Sequence, residues 1–126
     1  MSGLQFGVNL STSAAPDADP ITAAVTAEDL GYDFVSASDH PCGGHPTNET
    51  WTMLAWVAAS TTTIRVASRV LGVPLRNPVL LAKMAETLGR LSGGRLVLGL
   101  GAGASDVEIG AMGIPVLSGR GNCSGP

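Results

Sequence analysis

Hydrophobic and polar positions alternate along Leu4–Leu10, with Leu4, Phe6, Val8 and Leu10 on one side and Gln5, Gly7 and Asn9 on the other, the period of a strand. After a polar break the period becomes helical: Asp19 stands as N-cap, Pro20 as first helical residue and Gly31 at the left-handed closing position. The same cycle then repeats. Residues 33–39 read as a second strand, which runs into the glycine- and proline-rich loop 40–49 and a helix over 50–60 carrying Met53, Trp56, Val57 and Ser60 on one stripe. Residues 64–70 form the third predicted strand. A helix over 77–91 follows, opened by Asn77 and Pro78, with Leu80, Met84, Leu88 and Leu91 spaced to bury one face. Residues 95–100 read as the fourth strand and 105–113 as the start of a fourth helix.

Successive strand-helix units imply parallel strands, because each helix returns the chain to start the next strand in the same direction. The class is therefore α/β. Both an open doubly wound sheet and a consecutive wall of a (β/α)8 barrel fit. Polar Gln5, Asn9, Ser36, Ser38, Arg65 and Arg69 favour the barrel over the continuous apolar strands of an open sheet. In either architecture chemistry sits at the C-terminal strand ends. The second strand delivers Asp39 and His40 there, the third Arg69, Gly72 and Arg76, and the fourth Gly101, Gly103, Ser105 and Glu108.

Composition narrows the partners. With 126 residues, 44% hydrophobic and 13% charged, the chain can bury one core, and a net charge of -3 provides no basic surface for nucleic acid or an anionic membrane. No run of about 18 apolar residues appears, and the N-terminus lacks the charged and apolar regions of a secretory signal, so a cytoplasmic location is expected. In that reducing setting Cys42 and Cys123 are expected to be free thiols.

Each candidate has two readings on residue type alone. Asp39 and His40 are either a capping carboxylate beside a surface histidine or a histidine held by a carboxylate for hydrogen bonding and proton transfer. Asp39, His40, Cys42 and His45 include the residue types of metal ligands, but structural zinc pairs two separated clusters and no second cluster exists, so the expectation is no metal. Arg76 either salt-bridges at a helix start or contacts an anion. The run GLGAGA at 99–104 lacks the third glycine of G-x-G-x-x-G, follows the fourth strand instead of the first and has no acid about 20 residues on, which excludes a dinucleotide fingerprint.

The segments AEDLGYDFVSASDHP (27–41), the stretch 49–103 ending in SGGRLVLGLGAG, and EIGAMGIP (108–115) resemble consecutive signature segments of the bacterial-luciferase-like oxidoreductases. The resemblance runs in order over residues 4–117. It implies the first half, about four βα units, of a (β/α)8 TIM barrel over residues 1–117, with 118–126 as an irregular Gly/Ser-rich tail. It also implies a flavin- or deazaflavin-dependent oxidoreductase acting on a small organic substrate, with FMN or coenzyme F420 across the barrel mouth. Asp39 and His40 match the pair near the cofactor ring, with His40 placed for hydrogen bonding or proton transfer. Ser68, Arg69 and Val70 match a strand-three bulge that in relatives can hold a non-prolyl cis peptide backing the ring. Gly101, Ala102 and Gly103 match the strand-four turn whose missing side chains let backbone approach the ring edge. Glu108 matches a common acidic position beyond that turn.

Two departures from the family pattern shape the expectation. Sugar-phosphate dehydrogenases of the deazaflavin branch carry a glutamate acid just after the turn, where this chain has Ala104, which argues against that activity. A full barrel takes about 250 residues and usually builds its phosphate site after strands seven and eight, so tight binding of a phosphorylated flavin by these four units alone is not expected. Open strand edges then point to homo-oligomerisation or aggregation, and the patternless tail to a frame change or premature end. The competing expectation is a non-catalytic half-barrel serving as a binding or dimerisation module.

Overall fold

In the computed structural model, which describes residues 3–42, 44–103 and 105–116, strands and helices alternate along the chain. They are β1 (Gly7–Asn9), α1 (Pro20–Asp29), β2 (Phe34–Ala37), α2 (Thr50–Ser60), β3 (Arg65–Ser68), β4 (Leu71–Gly72), a 3-10 turn (Val73–Leu75), α3 (Pro78–Leu91), β5 (Leu96–Val97), β6 (Leu100–Gly101) and α4 (Asp106–Ala111). The tail 118–126, with Cys123, and the position of Ala104 lie outside the described residues. No helix among the described residues is long and apolar enough to cross a membrane.

The helices start where a side chain satisfies their orphan N–H groups. The Asp19 carboxylate accepts from Ile21 and Thr22 at 3.1 and 2.9 Å, with Pro20 at the first turn, and Gly31 closes the helix at φ +81°. Asn77 does the same for Val79 and Leu80 at 3.0 and 3.1 Å. Glu49 caps α2 through the N–H groups of Trp51 and Thr52.

Strands β1, β2, β3 and β5 pair side by side in that order, all parallel, and β4 pairs with β6 in a short parallel continuation. Helices α1 and α2 pack on one face of the sheet, and the core between them holds Leu10, Val35, Leu54, Val57, Val66 and Leu71. This is the wall made by the first four βα units of a (β/α)8 barrel.

Several expected faces turn differently. Leu4 and Phe6 are exposed ahead of β1, because β1 is the edge of the sheet and no described strand covers its far side. On α2 the core takes Trp51 at 7% exposure and leaves Trp56 at 68%. On α3 the buried residues are Leu81 and Leu88, with Met84 partly buried and Leu80 and Leu91 outside. The third and fourth strands are each broken in two instead of running straight.

Candidate active site

The breaks in those two strands build the site. Ala67 pairs with Val97, but Leu71 pairs with Leu100, so the third strand carries one extra residue between the two ladders, a β-bulge at 68–70. The Arg69–Val70 peptide within it is cis, as the family resemblance led us to expect. Ser68 bridges the gap in the ladder: its hydroxyl donates to the Gly99 carbonyl at 2.8 Å and accepts from the Gly99 N–H at 3.0 Å. Gly99 has no substitute here, since a Cβ on it would stand 2.3 Å from the Ser68 carbonyl oxygen. Ser68 is buried, holds the bulge through both bonds to Gly99, and is not among the residues that line the cavity beyond it.

Beyond the bulge, the C-terminal ends of the strands and the first turn of α4 surround a cavity of about 230 Å3. Asp39, His40, Arg69, Val70, Gly101, Ala102, Gly103 and Glu108 line it, together with Gly72, Leu75, Ser105 and Ile109. Gly101 makes room first for the bulge itself, because a Cβ there would meet Val70 Cγ2 at 2.6 Å. Val70 is half-exposed toward the mouth, so the bulge presents an apolar surface held in place by glycine backbone.

Asp39 lines the same cavity, but its carboxylate is turned to Gly72 and Arg76 and not to the neighbouring His40. The Asp39 side chain has no exposed surface and accepts from Gly72 N–H at 2.8 Å and from both terminal nitrogens of Arg76 at 2.5 and 3.2 Å. Arg76 also donates to Glu49 at 2.5 Å, so the two readings of Arg76 resolve into an ion-pair hub linking the end of β2, the cap of α2 and the approach to α3. Burial works against both charges. Against it, the Thr52 N–H and hydroxyl and then Arg76 hold the Glu49 carboxyl below its ordinary value, while Asp39 and Glu49 raise the Arg76 guanidinium above its own.

His40 is met by a different carboxylate from the neighbouring Asp39. Its Nδ1 lies 3.2 Å from Glu108 Oε2, and the other oxygen, Oε1, accepts from the Cys42 N–H at 3.2 Å. The His40 side chain is half-exposed at the mouth whereas Glu108 is 13% exposed behind it. Arg69 donates to Asn9 Oδ1 at 2.9 Å across from the end of β1, a neutral partner. No group of three or more His, Cys, Asp or Glu side chains among the described residues is disposed to hold a metal ion, and Cys42 is an exposed free thiol.

Leu75 and Ile109 also line the cavity, although nothing in the sequence marked them as site residues. Leu75 lies in the 3-10 turn just beyond β4, and Ile109 in α4, the helix that follows β6.

Parallel βα units with a partly apolar cavity at the strand ends, floored by a bulge and edged by a histidine, have the arrangement of one wall of a (β/α) barrel. The chain belongs to the luciferase-like monooxygenase family, whose pattern it matches over residues 4–120. It is 42% identical over 87 residues to an F420-dependent glucose-6-phosphate dehydrogenase of Kineococcus radiotolerans, a match covering 64% of this chain and 25% of that one. Among solved structures it is similar to the oxygenating constituent of 3,6-diketocamphane monooxygenase from Pseudomonas putida, in complex with FMN (26% identity, TM-score 0.74, 89% of this chain and 33% of that one). It is also similar to the coenzyme F420-dependent tetrahydromethanopterin reductase of Methanopyrus kandleri (26% identity, TM-score 0.72, 90% and 31%). The chain thus spans about a third of the length of these solved relatives and a quarter of the dehydrogenase.

Proposed function

We propose that these four units form the cofactor-facing wall of an oxidoreductase that uses FMN or coenzyme F420 on a small organic substrate. The single observation that carries this reading is convergence: His40, the Arg69–Val70 bulge and the Gly101–Gly103 turn, drawn from three separate strand ends, line one cavity. Relatives named for both cofactors support the choice of either.

The residues present fit a flat ring. Val70, Leu75 and Ile109 supply apolar surface, Gly101 and Gly103 bring bare backbone to the rim, and about 230 Å3 is below the roughly 300–1,000 Å3 of pockets that enclose whole ligands. The phosphate-bearing arm therefore belongs elsewhere, in line with the missing phosphate cradle in GLGAGA. A bound flavin or deazaflavin supplies hydride transfer or, for a flavin, oxygen activation. Val70, the bulge backbone and the bare backbone of Gly101–Gly103 would hold such a ring. His40 exchanges a hydrogen bond or proton with the substrate beside it, and Arg69 lends the mouth a positive charge. Asp39 holds the bulge end through Gly72 and does not itself handle protons. Open edges at β1 and β5, with Phe6 and Val97 exposed, favour self-association of a chain made of these units alone.

Titrating the chain with FMN or F420 while following cofactor absorbance tests the proposal. A saturable spectral change is expected, and Gly101→Val, which pushes Val70 into the mouth, is expected to weaken it at least tenfold. An unchanged spectrum in the native chain would leave a non-catalytic module as the better reading.

A further inference from the structure

We propose that Glu108 is a positioning residue that commits His40 to one tautomer, with the proton on Nδ1 and the free lone pair on Nε2 turned to the cavity. The inference rests on the reading of His40 given above but extends it to the direction in which the ring can act. Glu108, the acidic position beyond the strand-four turn, has both of its oxygens engaged within the protein, one by the His40 ring and one by the Cys42 backbone.

Donors and acceptors at this contact fix the tautomer. An ionised carboxylate only accepts, and the Cys42 N–H only donates, so Oε1 is committed to Cys42. Oε2 then faces Nδ1 at 3.2 Å, an attractive contact only when Nδ1 carries the proton. Neutral imidazole has one N–H, so Nε2 is left as the acceptor. A further hydrogen bond at His40, from the Thr47 hydroxyl, goes to the backbone carbonyl and not to the ring. The charged groups that share the cavity are otherwise engaged, Asp39 with Arg76 and Arg69 with Asn9.

The consequence is directional. A neutral His40 held this way accepts a hydrogen bond or proton from whatever lies at the mouth, and presents a donor only after it is protonated. The clamp also ties the loop after β2 to the first turn of α4, elements separated by 68 residues at the His40–Glu108 contact, so the ring is oriented by a unit of the wall other than its own.

Long-range proton–nitrogen NMR on the cofactor-free chain at a pH where the imidazole is neutral reads the tautomer directly. The exposed His45 is the other histidine of the chain and serves as internal reference. The expected spectrum gives His40 a protonated Nδ1 and an unprotonated Nε2. In Glu108→Gln, a single amide oxygen remains for two donors; with Cys42 keeping it, the NH2 group faces Nδ1 and the tautomer switches to Nε2–H. The Cys42 amide shift reports whether that variant keeps the loop in place. A native His40 protonated on Nε2 overturns the proposal, and so does an unchanged tautomer in a folded Glu108→Gln whose Cys42 amide keeps its native shift. Should the variant fail to fold, the native spectrum decides by itself. Since no cofactor is present, a failed cofactor titration with an Nδ1–H tautomer refutes the proposed function and leaves the role of Glu108 standing.

Discussion

Glu28 lies in the last turn of α1, yet its carboxylate reaches the loop ahead of β3 and accepts from the N–H groups of Thr62, Thr63 and Ile64 and from the Thr63 hydroxyl. Burial opposes its charge, but the Ile64, Thr63 and Thr62 N–H groups outweigh burial and bring the carboxyl down to about 2. A lowered folded-state value means stabilisation that is complete above the ordinary carboxyl range and is lost as pH falls through about 2. Glu28→Gln is therefore expected to cost about 2 kcal/mol at pH 7, the scale of hydrogen bonds to a charged group. The gap from the native chain should narrow as pH drops from about 4.5 toward 2. Urea unfolding at neutral and acid pH checks both, and equal stabilities at pH 7 would contradict the account. Nothing in the sequence marked this residue, because its partners lie 34 to 36 positions away and share no local pattern with it.

At the scale of elements, what was legible is what local chemistry decides. The pairs Asp19–Pro20 and Asn77–Pro78 announce helix starts, and the predicted 50–60 helix coincides with α2. Which face each helix buries was not legible. Helix α2 is apolar nearly all round, so its 3.6-residue period could not choose between Trp51 and Trp56, and on α3 adjacent Leu80 and Leu81 offered two stripes one position apart. Trp51→Ala is accordingly expected to cost about 3–5 kcal/mol and Trp56→Ala within about 0.5 kcal/mol, read by chemical denaturation. Similar losses for both would mean that the face is misassigned. The strand breaks were half legible: the resemblance pointed to a bulge at 68–70, but the return pairing of Leu71–Gly72 with Leu100–Gly101 depends on a register that alternation does not encode.

For the whole molecule, the site is a meeting of units, and only its positions could be read in advance. Strand-end placement identified His40, Arg69, Gly101 and Glu108 as neighbours, and all four line the cavity. The partner of each was not readable, because Asp39 and Glu108 are both carboxylates and only the fold sends the first to Arg76 and the second to His40. Arg76 joins three units through Asp39 and Glu49, with Asp39 fully buried, so Arg76→Ala leaves an uncompensated buried charge. The expected loss is about 3–5 kcal/mol in unfolding experiments, well above that of an ordinary surface pair. A loss below about 1 kcal/mol would show that the hub does not hold the units together.

The central claim is that the mouth formed by the bulge, the glycine turn and His40 receives the redox ring. Amide shift mapping of the chain during addition of FMN or F420 tests it most directly. Saturable shifts concentrated at Arg69–Leu71, Gly101–Gly103 and His40 are expected, with α1 and the outer face of α3 unmoved. Shifts scattered over the outer helices, or none at saturating cofactor, would contradict it.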